Sequence, residues 1–165
     1  MQIRKAKPSD IEEILRVYAA ARAFMRATGN PNQWSGGHRA RELLEDDIQK
    51  GQLYVGETDS GVNAVFAMLA GPDPTYAVIE DGKWPNTRDY GVIHRIASDG
   101  TSHGVLPQCV EYVKQFYDEI RIDTHHDNKV MQHLLEKNGF VRCGIIYLEN
   151  GDPRIAYQFS KNGAY

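Results

Sequence analysis

The sequence predicts a single α/β domain, residues 1–165, built around a mixed β-sheet. Short apolar runs typical of strands alternate with amphipathic segments in the order β-α-α-β-β-β-α-β-α-β-β, which defines this fold class. The chain has 165 residues, of which 41% are hydrophobic and 25% charged, as expected for one domain with a substantial core. No internal repeat or low-complexity linker divides it.

The N-terminal part predicts a short strand near Ile3 and then two amphipathic helices. Ser9 and Glu12 have the spacing of a capping box, in which each side chain accepts an unpaired backbone N–H. Apolar residues then recur at helical spacing into the mid-twenties, and a segment rich in Gly, Asn and Pro at 28–37 ends this helix. The second helix carries its apolar residues at 43–48 and stops before Gly51.

The rest of the chain alternates strands with two more helices. The predicted strands lie at 53–55, 62–69, 92–97, 120–124, 140–148 and 154–159, and the helices begin at Gly104 and at Asp127 or Asn128. One face of the first of these helices is expected in the core, with Val105, Cys109, Tyr112, Val113 and Phe116. The long segment from Gly71 to Asp89 is expected to be a partly ordered flap, since long connections in a compact domain are usually functional or mobile.

Composition argues against several classes of function. The net charge of −3 gives no reason to expect a nucleic-acid partner, and a mildly acidic protein suits a cationic amine. Cys109 and Cys143 match neither a metal-ligand spacing nor a disulfide framework, so we expect reduced, buried thiols. No stretch approaches the roughly 20 apolar residues that span a bilayer, and the start lacks the apolar part of a signal peptide. We therefore expect a cytoplasmic protein with no membrane partner.

The segment from Arg95 to Val105 predicts an anion site. A strand runs into a polar turn and then a helix, whose free N–H groups and positive dipole end suit a phosphate. Gly100 and Gly104 allow a ligand close to the backbone. The turn matches neither the P-loop nor the Rossmann pattern, and a glycine-containing turn taken alone is most often only a turn.

A second informative segment runs from Arg121 to Phe140. A strand ends in polar residues, Asn128 precedes a helix, and Lys137-Asn138-Gly139-Phe140 leads into the next strand. Together the two segments resemble the GNAT acetyltransferases, which bind the CoA pyrophosphate on a Q/R-x-x-G-x-G/A turn after the fourth strand. Later these enzymes show an Asn opening a helix that closes in a Lys-x-Gly-Phe-like sequence. The resemblance covers nearly the whole chain in element order, and it implies a mixed, splayed sheet with helices on both faces.

Three positions depart from the family pattern. If Gly104 is the central glycine of the turn, Thr101 stands where Gln or Arg is usual and Leu106 where Gly or Ala is usual. Leu135 stands where many members carry a Tyr that protonates the departing CoA thiolate. A thiol has a pKa of about 8.5, so its thiolate leaves readily and the loss of that acid has a modest cost. Another group, or water, could fill the role.

The resemblance implies an acetyl-CoA-dependent N-acetyltransferase. A neutral primary amine, expected to belong to a small molecule, attacks the thioester directly in a ternary complex. A backbone N–H near Ala97 polarises the thioester carbonyl. The implied contacts to acetyl-CoA are Ile96, Ala97 and Ser98 on the strand, His103, Gly104, Val105 and Leu106 on the turn, and Asn128 beside the pantetheine arm.

Three residues are candidates for the general base. Asp123 comes first, because it matches by position a strand glutamate that some GNAT enzymes use. His125 shares a face of that strand with Asp123, and His94 lies on the neighbouring strand. Each also has a purely structural explanation: Asp123 and His94 as hydrogen-bonding groups, and His125 as an ordinary strand-end residue.

The acceptor pocket is predicted to contain Gln33, Trp34, Tyr76 and Trp84. Aromatic faces attract a cationic amine, although scattered core aromatics would explain these residues equally well. We expect no metal site at His125 and its neighbours, because adjacent residues of a strand point to opposite faces.

Two other functions remain open. The missing tyrosine and the degenerate turn would fit a non-catalytic acyl-CoA-binding or sensor module. The second alternative is an acetyltransferase whose acceptor is a protein N-terminus or lysine. The long 71–89 segment argues against it, because it favours an enclosed pocket and hence a small amine, polyamine or amino acid. A homodimer is common among similar proteins.

Overall fold

The computed structural model describes residues 1–34 and 40–163. A seven-stranded sheet has the order β1-β2-β3-β4-β5-β7-β6. Its strands are β1 (Gln2–Lys5), β2 (Leu53–Thr58), β3 (Gly61–Ala70), β4 (Gly91–Ser98), β5 (Glu119–Thr124), β6 (Val141–Tyr147) and β7 (Pro153–Ser160). The helices are α1 (Ile11–Ala27), α2 (Ala40–Gln49), α3 (Val105–Val113) and α4 (Lys129–Lys137). The order of elements and the α/β fold class are those that the sequence predicts.

The sheet opens between β4 and β5. These two strands are parallel, whereas the other neighbouring strands are antiparallel. They pair only at Gly91 with Ile120 and at Val92 with Arg121, and beyond these pairs they separate. The mixed, splayed sheet is therefore confirmed, and the remainder of both strands borders a gap.

A bulge in β4 lies beside this gap. Arg95 and Ile96 together lie opposite Phe66 of β3, and Arg95 has a φ of +51°. A non-glycine residue keeps such a conformation only when its surroundings impose it. The hydroxyl of Tyr18 in α1 donates to Arg95 O at 2.7 Å, and the guanidinium of Arg95 pairs with Asp47 of α2. Both helices therefore hold the bulge in place.

The two faces of the sheet are covered differently. α3 and α4 pack on one face, over a core that includes Phe66, Ile93 and Ile122. α1 and α2 cover the other face over β2 to β4. The loop 71–90 covers that same face farther along, where Tyr76 packs with residues of β4, β6 and β7. Helices therefore lie on both faces, as predicted.

Several local predictions need correction. Phe116 is 56% exposed, because α3 ends at Val113 and the helical spacing does not continue to it. The capping box of Ser9 and Glu12 is wrong, since residues 8–10 form a 3-10 turn. Instead, the Asp10 carboxylate accepts the Lys7 N–H at 2.7 Å.

Other local predictions have mixed outcomes. Cys109 and Cys143 are free and buried, and burial raises the pKa of Cys109 to about 12. The predicted break at 28–37 is irregular through Trp34, and its last three residues lie outside the described part of the chain. None of the helices within the described ranges is long and apolar enough to cross a bilayer.

Candidate active site

The turn between β4 and α3 has the geometry of an anion site. α3 begins after Gly104, whose φ is +64°. The N–H groups of its first turn have no acceptor within the helix, and the helix dipole adds positive potential. Gln108 Nε2 donates to His103 O at 3.0 Å and to Gly104 O at 3.1 Å, which holds the turn against the helix. Because Pro107 lacks an N–H, the donors of this cradle end at Leu106.

Asp99 shapes the same turn from within. Its Oδ1 accepts Thr101 N at 3.0 Å and Thr101 Oγ1 at 2.6 Å, and its Oδ2 pairs with Arg16 of α1 at 3.1 Å. Thr101, at the position where the family usually has Gln or Arg, therefore serves the fold of the turn. Leu106 is buried in the core, while His103 and Gly104 are exposed. Because the Leu106 side chain is buried in the core, its size does not block access to the turn.

An apolar groove of about 160 Å³ lies alongside the gap. Its polar lining residues are Thr28, Ser98 and Asn128. The remaining lining residues are Ala21, Phe24, Met25, Ile96, Ala97, Val105, Leu106, Val130, Met131 and Leu134. An extended ligand with an apolar arm and an anionic end would match this groove and the neighbouring turn.

α4 contributes only apolar side chains to this groove. Leu135, at the position where many family members have a Tyr, is fully buried in the core. The α4 residues that line the groove are Val130, Met131 and Leu134, none of which has a proton to give. A proton for a leaving group must therefore come from elsewhere or from water.

Two hydrogen-bonded pairs lie at the gap on the face opposite α3 and α4. Asp123 Oδ2 accepts the hydroxyl of Tyr76 at 2.7 Å, and His94 Nε2 lies 2.8 Å from Asp73 Oδ2. The rings of Tyr76 and His94 are 6.2 Å apart, so the two pairs are neighbours. The loop 71–90 thus supplies a partner to each of two predicted bases.

The two pairs differ in electrostatics. Burial raises the pKa of Asp123 above its usual range, although the Tyr76 hydrogen bond and the charges of His94 and Arg154 oppose the shift. Burial also acts to raise the pKa of Asp73, but hydrogen bonds from His94 and Thr75 outweigh it and lower that pKa to about 2. Asp73 is therefore ionised at neutral pH and accepts the Nε2–H of His94. In the described part of the chain, only Asp73 hydrogen-bonds this ring, which leaves Nδ1 for a ligand.

His125 lies in the turn after β5, which ends at Thr124. The strand periodicity that places it on the face of Asp123, and that argues against a metal, therefore does not extend to it. Possible ligand atoms of His125, His126 and Asp127 lie within 4.8 Å of one another. However, His125 Nδ1 already accepts the Asp127 N–H at 3.0 Å, and burial lowers the pKa of this imidazole. This cluster is a turn with its own hydrogen bonds.

Gln33 connects the loop after α1 to the ends of β5 and α4. Its Oε1 accepts Asn30 Nδ2 at 2.8 Å, Asn128 Nδ2 at 3.0 Å and Thr124 Oγ1 at 3.5 Å. Asn128 Oδ1 accepts Met131 N at 3.0 Å and caps α4. Both polar atoms of Asn128 are therefore engaged at the edge of the groove.

Trp34 and Trp84 both support other parts of the site. Trp34 packs edge-on against Tyr18, 5.5 Å between ring centroids, and so backs the residue that holds the β4 bulge. Trp84 Nε1 donates to Tyr76 O at 2.9 Å, a hydrogen bond that joins two parts of the loop 71–90. The guanidinium of Arg121 lies 3.9 Å from the rings of both Trp84 and Tyr90, at a cavity of about 520 Å³ under this loop.

The sequence interpretation missed two charged residues of this region. Asp73 lies in an irregular loop, where no periodicity indicates its partner. Arg154 lies in β7 next to the hairpin, and its position in a predicted strand gave no sign that its charge is buried.

Solved structures share this architecture. A GNAT-family acetyltransferase from Streptococcus agalactiae is 32% identical, with a TM-score of 0.88 over 97% of this chain and 95% of that one. A putative acetyltransferase from Staphylococcus aureus is 25% identical, with a TM-score of 0.71 over 98% and 99%. A GNAT-family acetyltransferase from Bacillus cereus, 20% identical, has a TM-score of 0.61 over 97% and 96%, which is a likeness of fold. No family model and no curated protein matches the sequence.

The splayed sheet, the turn suited to an anion and the hydrogen-bonded pairs at the gap therefore lie in a fold shared with acetyltransferases. The chain belongs to the GNAT family of acetyltransferases. The resemblance seen in the Gly104 and Lys137–Phe140 motifs is thereby confirmed.

Proposed function

We propose that the protein is a cytoplasmic, acetyl-CoA-dependent N-acetyltransferase that acts on the primary amine of a small molecule. The observation that carries this proposal is the gap between β4 and β5, which joins two half-sites. The apolar groove is lined by residues of α1, β4, α3 and α4 and runs beside the turn at the start of α3. The Asp73–His94 and Tyr76–Asp123 pairs lie on the face that the loop 71–90 covers. A donor in the groove and an acceptor beneath the loop would meet in this gap.

The groove side supplies the donor site. Ile96, Ala97 and Ser98 would line the pantetheine arm, and the N–H groups from His103 to Leu106 would bind the pyrophosphate. A backbone N–H near Ala97 would polarise the carbonyl, at a position fixed by the β4 bulge. When bound, acetyl-CoA supplies a thioester whose C–S bond breaks as the C–N bond forms, and CoA leaves as the thiolate.

His94 is the base that the geometry favours. Its Nδ1 is open and its Nε2–H is held by Asp73, whereas Asp123 has Oδ2 engaged by the Tyr76 hydroxyl and offers only Oδ1, which makes it the alternative base. The amine proton passes to Nδ1, and ionised Asp73 stabilises the resulting imidazolium through Nε2–H. Asp123, partly buried beside this pair, would attract an ammonium group when it is ionised. Asp73 is a positioning residue in this scheme.

The loop 71–90 supports a small acceptor. It covers the face that carries His94 and Asp123, and it is anchored by the Tyr76–Asp123 and Trp84–Tyr76 hydrogen bonds. An acceptor site covered in this way would suit a small amine better than a protein side chain.

Calorimetry with acetyl-CoA, followed by measurement of CoA-thiol release with a panel of amines, tests the proposal. Binding with amine-dependent release is the expected result. Binding without release would favour an acyl-CoA-binding module, and release only with peptides would favour a protein acetyltransferase. Failure to bind acetyl-CoA would contradict the proposal.

A further inference from the structure

Arg154, the second residue of β7, is buried without an acidic partner. It is 6% exposed. Its Nη1 donates to Pro153 O at 2.8 Å, and its Nη2 donates to Gln33 O at 3.4 Å. Within residues 1–34 and 40–163, none of the ion pairs includes it.

Other arginines near this site are better compensated. Arg95 pairs with the carboxylate of Asp47. Arg121 lies between two aromatic rings and donates to Gln158 at 2.8 Å. Removing a guanidinium from water is costly unless an anion and further hydrogen bonds compensate it. Two backbone carbonyls, one of them at 3.4 Å, supply no negative charge to Arg154.

The register of the sheet places Arg154 beside the proposed reaction centre. Asp123 pairs with Ala156 and Thr124 with Ile155, so Arg154 is the diagonal neighbour of Asp123 on the same face. Cross-strand diagonal neighbours are about 7–8 Å apart. His94 also lies on this face, next to Tyr76. A ligand whose amine reaches His94 would therefore hold its other groups within reach of Arg154.

We propose that Arg154 binds a carboxylate of the acceptor, and that the acceptor is therefore an amino acid or a similar amine with a nearby carboxylate. This inference rests on the proposed acetyltransferase function and specifies its substrate class. Both ends of such an acceptor find a partner on one face: the amine at His94 and Asp123, the carboxylate at Arg154. Guanidinium and carboxylate form charge-assisted, commonly bidentate hydrogen bonds.

A purely structural role is the competing explanation for Arg154. In that case it would act at a distance as the counter-charge of Asp123, whose carboxylate it influences without forming an ion pair. This explanation predicts that replacing Arg154 changes stability, or the rate with every acceptor by the same factor. It does not predict a change in preference between acceptors that differ only in the carboxylate.

Matched acceptors separate the two explanations. The probes are the twenty common L-amino acids and their carboxamides, which keep the shape and remove the charge. We expect kcat/KM to be about tenfold to a hundredfold higher for at least one acid than for its amide, the range of a charged hydrogen bond. The amides keep more of their amine neutral, so this chemical bias opposes the expected preference.

The acid-to-amide ratio of kcat/KM is the readout for variants. In Arg154→Met we expect the ratio to fall to about one, and in Arg154→Lys to an intermediate value. Arg142→Met is the matched control, since Arg142 is an exposed arginine of the neighbouring strand β6, and its ratio should equal that of the wild type. If Arg154→Met does not fold, the acid-to-amide ratios of the wild type and of Arg154→Lys still test the inference.

Three outcomes would overturn the inference. Amides as good as acids in the wild type would do so, as would a ratio unchanged in Arg154→Lys and Arg154→Met. The third is thiol release with simple amines but with no amino acid, which would leave the acetyltransferase function intact. Failure to bind acetyl-CoA, by contrast, would remove the proposed function and the inference together.

Discussion

The hydroxyl of Tyr76 donates to Asp123 Oδ2 at 2.7 Å and joins the loop between β3 and β4 to β5. Tyr76 is buried and Asp123 is partly buried, and burial together with the Asp123 charge raises the pKa of the Tyr76 hydroxyl well above its usual range. The carboxylate first predicted as the base therefore anchors the loop that covers this face of the sheet. Its neighbour His94 keeps one ring nitrogen open, which shifts the expected proton transfer to that residue.

Replacing Asp123 by Asn tests this division of roles. The amide oxygen keeps an acceptor for Tyr76, so we expect kcat to fall less than tenfold, whereas loss of a general base typically costs about 10² to 10⁴. Steady-state kinetics with the best amine measures the change. A fall beyond a hundredfold would return the role of base to Asp123. Tyr76→Phe, which removes this hydrogen bond but keeps the carboxylate, is the matched comparison.

Asp123→Asn also changes the pH dependence of the unfolding free energy. The pKa of Asp123 is raised in the folded state, so folding favours its protonated form. The wild type consequently loses stability as pH rises from the ordinary Asp value through the raised one, and the loss stays constant above that window. Asp123→Asn lacks this loss. We expect the unfolding free energy of the variant, relative to that of the wild type, to increase as pH rises through that window. Urea titration at several pH values measures the difference. A difference independent of pH would contradict the shift.

Asp73→Asn tests the positioning role. The ionised carboxylate of Asp73 accepts the Nε2–H of His94, which fixes the ring and leaves Nδ1 as the proton acceptor. Without it, we expect kcat to fall about tenfold to a hundredfold while the KM for the amine changes less. Asp81→Asn, an exposed acid of the same loop, is the control and should leave both constants unchanged. A kcat equal to that of the wild type would contradict the positioning role.

Gly104→Ala tests the anion-binding turn. At a φ of +64° a Cβ costs about 1–2 kcal/mol, and the space around it is open, so the strain should distort the turn instead of the core. We expect acetyl-CoA affinity to fall about fivefold to tenfold by calorimetry. Gly151→Ala, at a φ of +90° in the β6–β7 hairpin with equally open surroundings, is the matched control. Equal losses of affinity in both variants would contradict the proposed turn.

Asp10→Ala tests the start of α1. The Asp10 carboxylate accepts two guanidinium donors of Arg4, at 2.8 and 3.0 Å, and the Lys7 N–H at 2.7 Å. We expect a loss of about 1–3 kcal/mol in unfolding free energy at neutral pH. Hydrogen bonds from Arg4, opposed by burial, lower the pKa of Asp10, so this contribution is full above the ordinary Asp value and disappears as pH falls through the lowered one. The exposed Glu45→Gln should change stability by less than about 0.5 kcal/mol.

The sequence was sufficient where local patterns decide the structure. Periodicity located the helices and strands, and Gly104 correctly indicated where α3 begins. Asn128 was correctly identified as a possible cap of α4, because capping depends on residues within one turn. These features need only information from neighbouring residues.

Contacts between distant segments could not be predicted in the same way. The pairing of Asp73 with His94 spans 21 residues and depends on how an irregular loop folds back over β4. The burial of Arg154 follows from the register of β7 against β5 and from the position of Gln33. Strand alternation does not place His125 on the face of Asp123, because β5 ends one residue before it.

The side-chain oxygen of Gln33 has a consequence for ligand exchange. An amide oxygen has two lone pairs, yet three donors converge on it, from Asn30, Asn128 and Thr124. One of these donors is therefore surplus at any moment. If a ligand carbonyl accepts the Asn128 N–H, Gln33 keeps two donors and no buried group loses its partner. Transfer of the Asn128 N–H from Gln33 to a ligand would therefore leave the hydrogen bonds of Gln33 with Asn30 and Thr124 in place.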